Sequence, residues 1–151
     1  MLDSRFFRKI NAEVIMKYRK HIFDPAGGGK GAKDVYGKQY KGYSTGYSKA
    51  KKTGEINSLG VPQHKKHKDS NAPVLTGLLM KDFQLIKIGS SGFTFGNLAR
   101  QSTVKSLARM GRVIMAENKA LPTKVGKYVM AEADKYVKKE LSKIKGGTFN
   151  I

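Results

Sequence analysis

At 151 residues, with 39% hydrophobic side chains, the chain has the length of one domain and the makings of a modest core. Its formal net charge of +19 and pI near 10.1 mean that it repels itself unless it meets an anionic partner or a complementary protein surface, and nucleic acid is the leading class of partner. The lack of cysteine excludes disulfides and thiolate metal sites, and no apolar run approaches the roughly 18 residues of a membrane span.

The first ten residues, Met1 to Ile10, hold an acid and several bases where a signal peptide needs an apolar centre, so synthesis and use in the cytoplasm are expected. Arg5 to Tyr18 reads as an amphipathic helix capped by Asp3 or Ser4. Phe6, Ile10 and Val14 recur at spacings of four with Phe7 beside them. Arg8, Lys9, Lys17, Arg19 and Lys20 occupy the other faces as solvated bases. Asp24-Pro25 ends the segment, because the residue before proline is pushed away from helical angles.

Residues 26–70 have another character. They hold ten lysines against three acids, many glycines, and the interleaved Tyr36, Tyr40, Tyr43 and Tyr47. With so few aliphatic residues this stretch cannot build its own core, and a long loop or arm is predicted, with a short helical turn near Ser48–Lys52. Two motifs in it are weak. Gly27-Gly28-Gly29-Lys30-Gly31 lacks the frame and preceding strand of a phosphate loop. His64 and His67 flank Lys65 and Lys66, with no carboxylate or thiolate to complete a metal site. The tyrosine–lysine mixture is more informative. Tyrosine faces stack on unpaired bases and lysines neutralise phosphates, but the same tyrosines can equally pin a loop to the domain or to a neighbouring subunit.

Phe83–Ile88 and Phe93–Phe95, separated by Gly89-Ser90-Ser91-Gly92, predict a β-hairpin. Phe83 and Leu85 face one way, and Ile86 and Ile88 the other. That imperfect alternation predicts partial cover on both faces. Asn97 is expected to cap a helix reaching Met110, which Gly111 ends in the left-handed conformation. Lys105, Arg109 and Arg112 share a face there, and Arg112 to Met115 reads as a short strand or extended chain. A last helix starts at Pro122 and carries a stripe of Val125, Val129, Ala133, Tyr136 or Val137, Leu141 and Ile144, stopped by Gly146-Gly147. The predicted fold class is α+β: an amphipathic N-terminal helix, a long basic Gly/Tyr-rich arm, a central β-hairpin or small antiparallel sheet, and two C-terminal helices, in a single domain. Eleven acids with no recognisable pair, and no serine in a nucleophile elbow, give no expectation of enzymatic activity, a metal or a cofactor.

The order of several short motifs resembles the tailed-phage virion morphogenesis proteins of the tail-completion, or neck (head–tail joining), family. They are the N-terminal helix, Tyr43-Ser44-x-x-Tyr47-Ser48-Lys49-Ala50-Lys51, Val74-Leu75-Thr76-Gly77-Leu78-Leu79, the hairpin, Gly111-Arg112-Val113-Ile114, and Leu121-Pro122 before the final helix. Many members carry further strands between hairpin and Gly-Arg, where this chain reads as helix. The resemblance implies a structural virion protein that forms a homo-oligomeric ring around the DNA channel and meets portal, adaptor or tail proteins. In such a ring, the basic residues Lys38, Lys41, Lys49, Lys51, Lys52, Lys65, Lys66, Lys105, Arg109 and Arg112 are candidates for facing DNA phosphate. Tyr36, Tyr40, Tyr43, Tyr47, Phe83, Ile86, Phe93 and Phe95 are candidates for the subunit interface. The alternative from another class is a basic nucleic-acid-binding protein of ribosomal or architectural type.

Overall fold

A computed structural model describes residues 2–24, 33–53, 72–74, 77–118 and 120–145. Among them the chain is α+β, with helices α1 (Ser4–Phe23), α2 (Thr45–Thr53), α3 (Leu78–Asp82), α4 (Gln101–Arg109) and α5 (Thr123–Lys145), and strands β1 (Phe83–Ile88) and β2 (Phe93–Asn97). The glycine-rich stretch at 27–31, the histidines at 64 and 67, and Lys65 and Lys66 lie outside the described residues.

The first helix is the spine. Asp3 caps it, its carboxylate accepting from the amides of Arg5 and Phe6 at 3.0 and 3.2 Å. Phe6, Ile10, Val14, Tyr18 and Ile22 recur every four residues, and all are buried. This stripe packs against α5 and the hairpin. The helix runs one turn beyond the predicted end, because Ile22 and Phe23 continue the buried face before Asp24 leaves helical geometry.

Phe83 is the centre of the core. Its ring stacks on Tyr18 at 5.0 Å and meets Phe95 edge-on at 5.4 Å. Burying an aromatic side chain of this kind is worth about 1.5–3 kcal/mol. Arg19 caps the start of β1, donating through its guanidinium to the Phe83 carbonyl.

The two strands pair antiparallel, and Gly89 N–H donates to Gly92 O at 2.7 Å to close the turn. Leu85 pairs with Phe95 and Lys87 with Thr94, which leaves Ile86 unpaired as a bulge. The bulge explains the imperfect alternation. It returns Ile88 to a half-buried position opposite Phe93, and leaves Ile86 exposed with Gln84 and Lys87. Within this subunit the core packs on the Phe83 face, while on the other face Met115 reaches the buried Gly96 beside the exposed Ile86.

Asn97 does not cap α4. It ends β2, buried, and donates to Leu79 O at 2.8 Å and to the Asp82 carboxylate at 3.3 Å. The cap comes from Asp82, whose carboxylate accepts from the amides of Ala99 and Arg100 at 3.0–3.2 Å. The helix accordingly starts at Gln101 rather than Asn97. Its end is as predicted. Gly111, at φ +73°, lets its own amide reach Ala108 O and the Arg112 amide reach Leu107 O, the paired bonds of a Schellman motif.

Residues 112–116 belong to no strand and bend at Ile114 and Met115, yet they tie the molecule together. Ile114 O accepts from the Tyr18 hydroxyl at 2.7 Å, and Val113 O accepts from the Val35 amide at 2.9 Å. The last helix splits the predicted stripe. Val125 is buried and Val129, Ala133 and Tyr136 are partly buried against α1, whereas Val137, Leu141 and Ile144 are exposed.

Candidate functional site

The residues singled out as phosphate-facing or interfacial separate into an inward and an outward group. Lys51 is only 1% exposed. Its ammonium donates to Ala72 O at 3.3 Å and lies 4.9 Å from the centre of the Tyr43 ring. Arg112 is also buried. Its guanidinium lies 4.0 Å over the same ring and donates to Lys41 O at 2.8 Å. Neither cation faces an outside phosphate. Both are spent holding the arm to the domain, and for these two the phosphate-facing expectation is corrected. The reason is local. The Schellman motif ends α4 with Arg112 turned inward, and α2 is an amphipathic helix in which Lys51 falls four residues after Tyr47.

The tyrosines follow the same division. Tyr43 stacks obliquely with Tyr47 at 4.6 Å, and its hydroxyl donates to Ala72 O at 3.3 Å. Burial pushes the Tyr43 phenol up, with Arg112 pulling the other way. Tyr40 is buried, its phenol pushed up by desolvation, and its hydroxyl has no hydrogen-bond partner among the described residues. Phe83 is fully buried. Tyr40 and Phe83 therefore belong to the core of this subunit, not to an interface, because Tyr18, Phe23 and Phe95 already cover Phe83.

The outward group comprises Tyr36 and Ile86, at 61% and 45% exposed, with Tyr47 partly so, and the exposed cations Lys38, Lys41, Lys49, Lys52, Lys105 and Arg109. Phe93 and Phe95 are half-buried. With Phe7, Met115, Leu121 and Val129 they line an apolar groove of about 400 Å3 beneath the hairpin. Sequence reasoning had Phe93 and Phe95 but missed the other walls, which come from three separate parts of the chain.

A second cleft, of about 710 Å3, was also missed. Lys17, Lys20, Lys33 and Lys124 line it, with His21, Asp24, Gly37 and Tyr128. The α1 lysines read as an ordinary solvated face, and nothing in their spacing announces that Lys33 and Lys124 join them. Among the described residues no group of three or more His, Asp or Glu side chains is placed to hold a metal ion, and no helix is long and apolar enough to cross a membrane. No family model matches the chain, and no curated protein or solved structure is significantly similar to it.

Proposed function

We propose that the protein is a structural component of a tailed-phage virion, a neck or tail-completion protein assembled in the host cytoplasm. In this reading copies form a ring that joins the DNA-filled head, through portal and adaptor, to the tail around the DNA channel. One observation carries the reading beyond the motif resemblance: the subunit holds two unlike apolar surfaces. One is the groove beneath the hairpin. The other is a ridge on α5, where Met130, Leu141 and Ile144 are 74%, 52% and 63% exposed, with Val137 between them. Their spacing puts all four on one side of the helix, apart from the face packed on α1. A ring needs such a heterologous pair, since one patch must fit a different patch on the neighbour.

The test is assembly. Light scattering and negative-stain imaging should find ring-shaped oligomers, and mass spectrometry should find the protein in purified virions. Leu141→Lys with Ile144→Lys should leave a folded monomer. A wild-type protein that is strictly monomeric and absent from virions sinks the proposal. The alternative, a nucleic-acid-binding protein of ribosomal or architectural type, draws on the lysine-lined cleft. Tight, steeply salt-dependent binding by a protein that stays monomeric would favour it.

A further inference from the structure

We propose that the cleft between the end of α1, the 33–39 turn and the start of α5 is a phosphate-binding site, suited to the backbone of a nucleic acid. Hydrogen bonds tie its turn to α1. Asp34 is buried, and its carboxylate accepts from the amides of Tyr36 and Lys38 at 3.0 and 2.7 Å. Gly37, at φ +84°, closes the turn by donating to Asp34 O at 3.0 Å. His21 fastens this turn to α1, its Nε2 donating to Asp34 O at 2.7 Å, while the Lys33 amide donates to His21 O at 3.0 Å.

The charge of the cleft is one-sided. Lys17 is paired with Glu13 at 2.9 Å and lies over the Tyr128 ring. Lys20, Lys33 and Lys124 form no ion pair with another described residue, and Asp24 is the single acid among the described lining residues. Helix dipoles reinforce this sign. The start of α5, a helix of 23 residues, opens onto the cleft at Thr123 and Lys124 with no acid in its first turn. The opposing end of α1 is muted, because Lys20 O and His21 O already accept from the amides of Asp24 and Lys33. Three lysines lining one cleft of this size suit one or two phosphates rather than a carboxylate metabolite, for which the described lining offers no bidentate arginine.

The inference deepens the reading as a channel protein by naming the surface that meets DNA, but only the source of the phosphate rests on that reading. The experiment compares Lys20→Ala/Lys33→Ala/Lys124→Ala with a charge-matched control, Lys81→Ala/Lys87→Ala/Lys139→Ala, and with arginine at the three cleft positions. Anisotropy of a labelled random-sequence duplex is followed over a salt series, with tripolyphosphate as a second ligand and circular dichroism to check folding. The cleft variant should lose about 2–3 from the slope of log affinity against log salt, and affinity on the order of tenfold or more. The control should change little, and arginine should restore binding. Loss confined to tripolyphosphate would keep the phosphate site and assign it to a free anion. Equal losses in cleft and control variants, or no wild-type binding of either ligand, would overturn the proposal. Ring formation is read separately by light scattering, so a protein that forms rings but binds no phosphate refutes this site and leaves the neck reading standing.

Discussion

Arg112 offers the sharpest separation between packing and nucleic-acid contact. In Arg112→Met the apolar stem is retained while two interactions go. The bond from its Nη2 to Lys41 O, at 2.8 Å, is charge-assisted and of a kind worth roughly 1.5–3 kcal/mol. The guanidinium over Tyr43, at 4.0 Å, adds about 0.5–2 kcal/mol. Two terms offset part of this. Lys51 lies on the same ring, so removing Arg112 relieves a like-charge contact, and Arg112 Nε is buried without a partner. A net loss of about 2 kcal/mol follows, which for a chain of this length lowers Tm by roughly 4–8 °C. Hydrogen exchange should localise the effect to α2, whose anchor is Tyr43 and Lys51. Arg112→Lys should recover only part of it, because an ammonium cannot lie flat on a ring. The salt dependence of DNA binding should not move. An unchanged Tm with a salt slope reduced by about 1 would refute the reasoning and return Arg112 to the phosphate-facing surface.

The other predictions concern the supports of the core. Tyr18→Phe removes a buried bond to Ile114 O and should cost about 1–3 kcal/mol, whereas Tyr40→Phe, which deletes a buried hydroxyl with no partner among the described residues, should be neutral or stabilising by chemical denaturation. Asp82→Ala removes the cap of α4 and a partner of Asn97, and a loss of about 1–2 kcal/mol with faster exchange confined to α4 is expected. Asp3 has a pKa lowered to about 2, first by its bond to Arg5 and then by the Phe6 amide and Tyr136 hydroxyl, against some desolvation. Its folded value lies below its unfolded value, so its contribution is complete above about pH 4 and disappears as pH falls through about 2. A pH titration of stability for Asp3→Asn should lack that part of the acid limb.

Much of the fold was legible because local signals and burial agree. The four-residue spacing of α1, the hairpin's glycine–serine turn and Gly111 each have one physical reading. The misreadings arose where a residue's partner is remote. Asn97 looks like a cap, but a carboxylate fifteen residues upstream takes that role and draws Asn97 into the hairpin. Ile86 looks like a member of a second apolar face, and pairing shows it as a bulge. The basic residues were least legible of all. Charge in a sequence carries no direction, so Lys51 and Arg112 counted with the surface, while Lys33 and Lys124 gained their meaning only when a turn and a helix start met the end of α1.

The exposed ridge on α5 has a thermodynamic corollary. The last anchor of that helix is Tyr136, held by Phe6 and Asp3. The turns beyond it have little tertiary packing and keep their shape through propensity and short-range ion pairs such as Asp134–Lys138 and Glu140–Lys143, which salt screens. Short unsupported helices are marginal in water. These turns should therefore fray first on warming or in high salt, and a neighbour covering Val137, Leu141 and Ile144 would gain apolar contact while having to supply the ordering entropy of the helix end. Association through this ridge would then carry a negative heat-capacity change larger than a rigid contact of the same area gives, because docking and helix completion would be a single event.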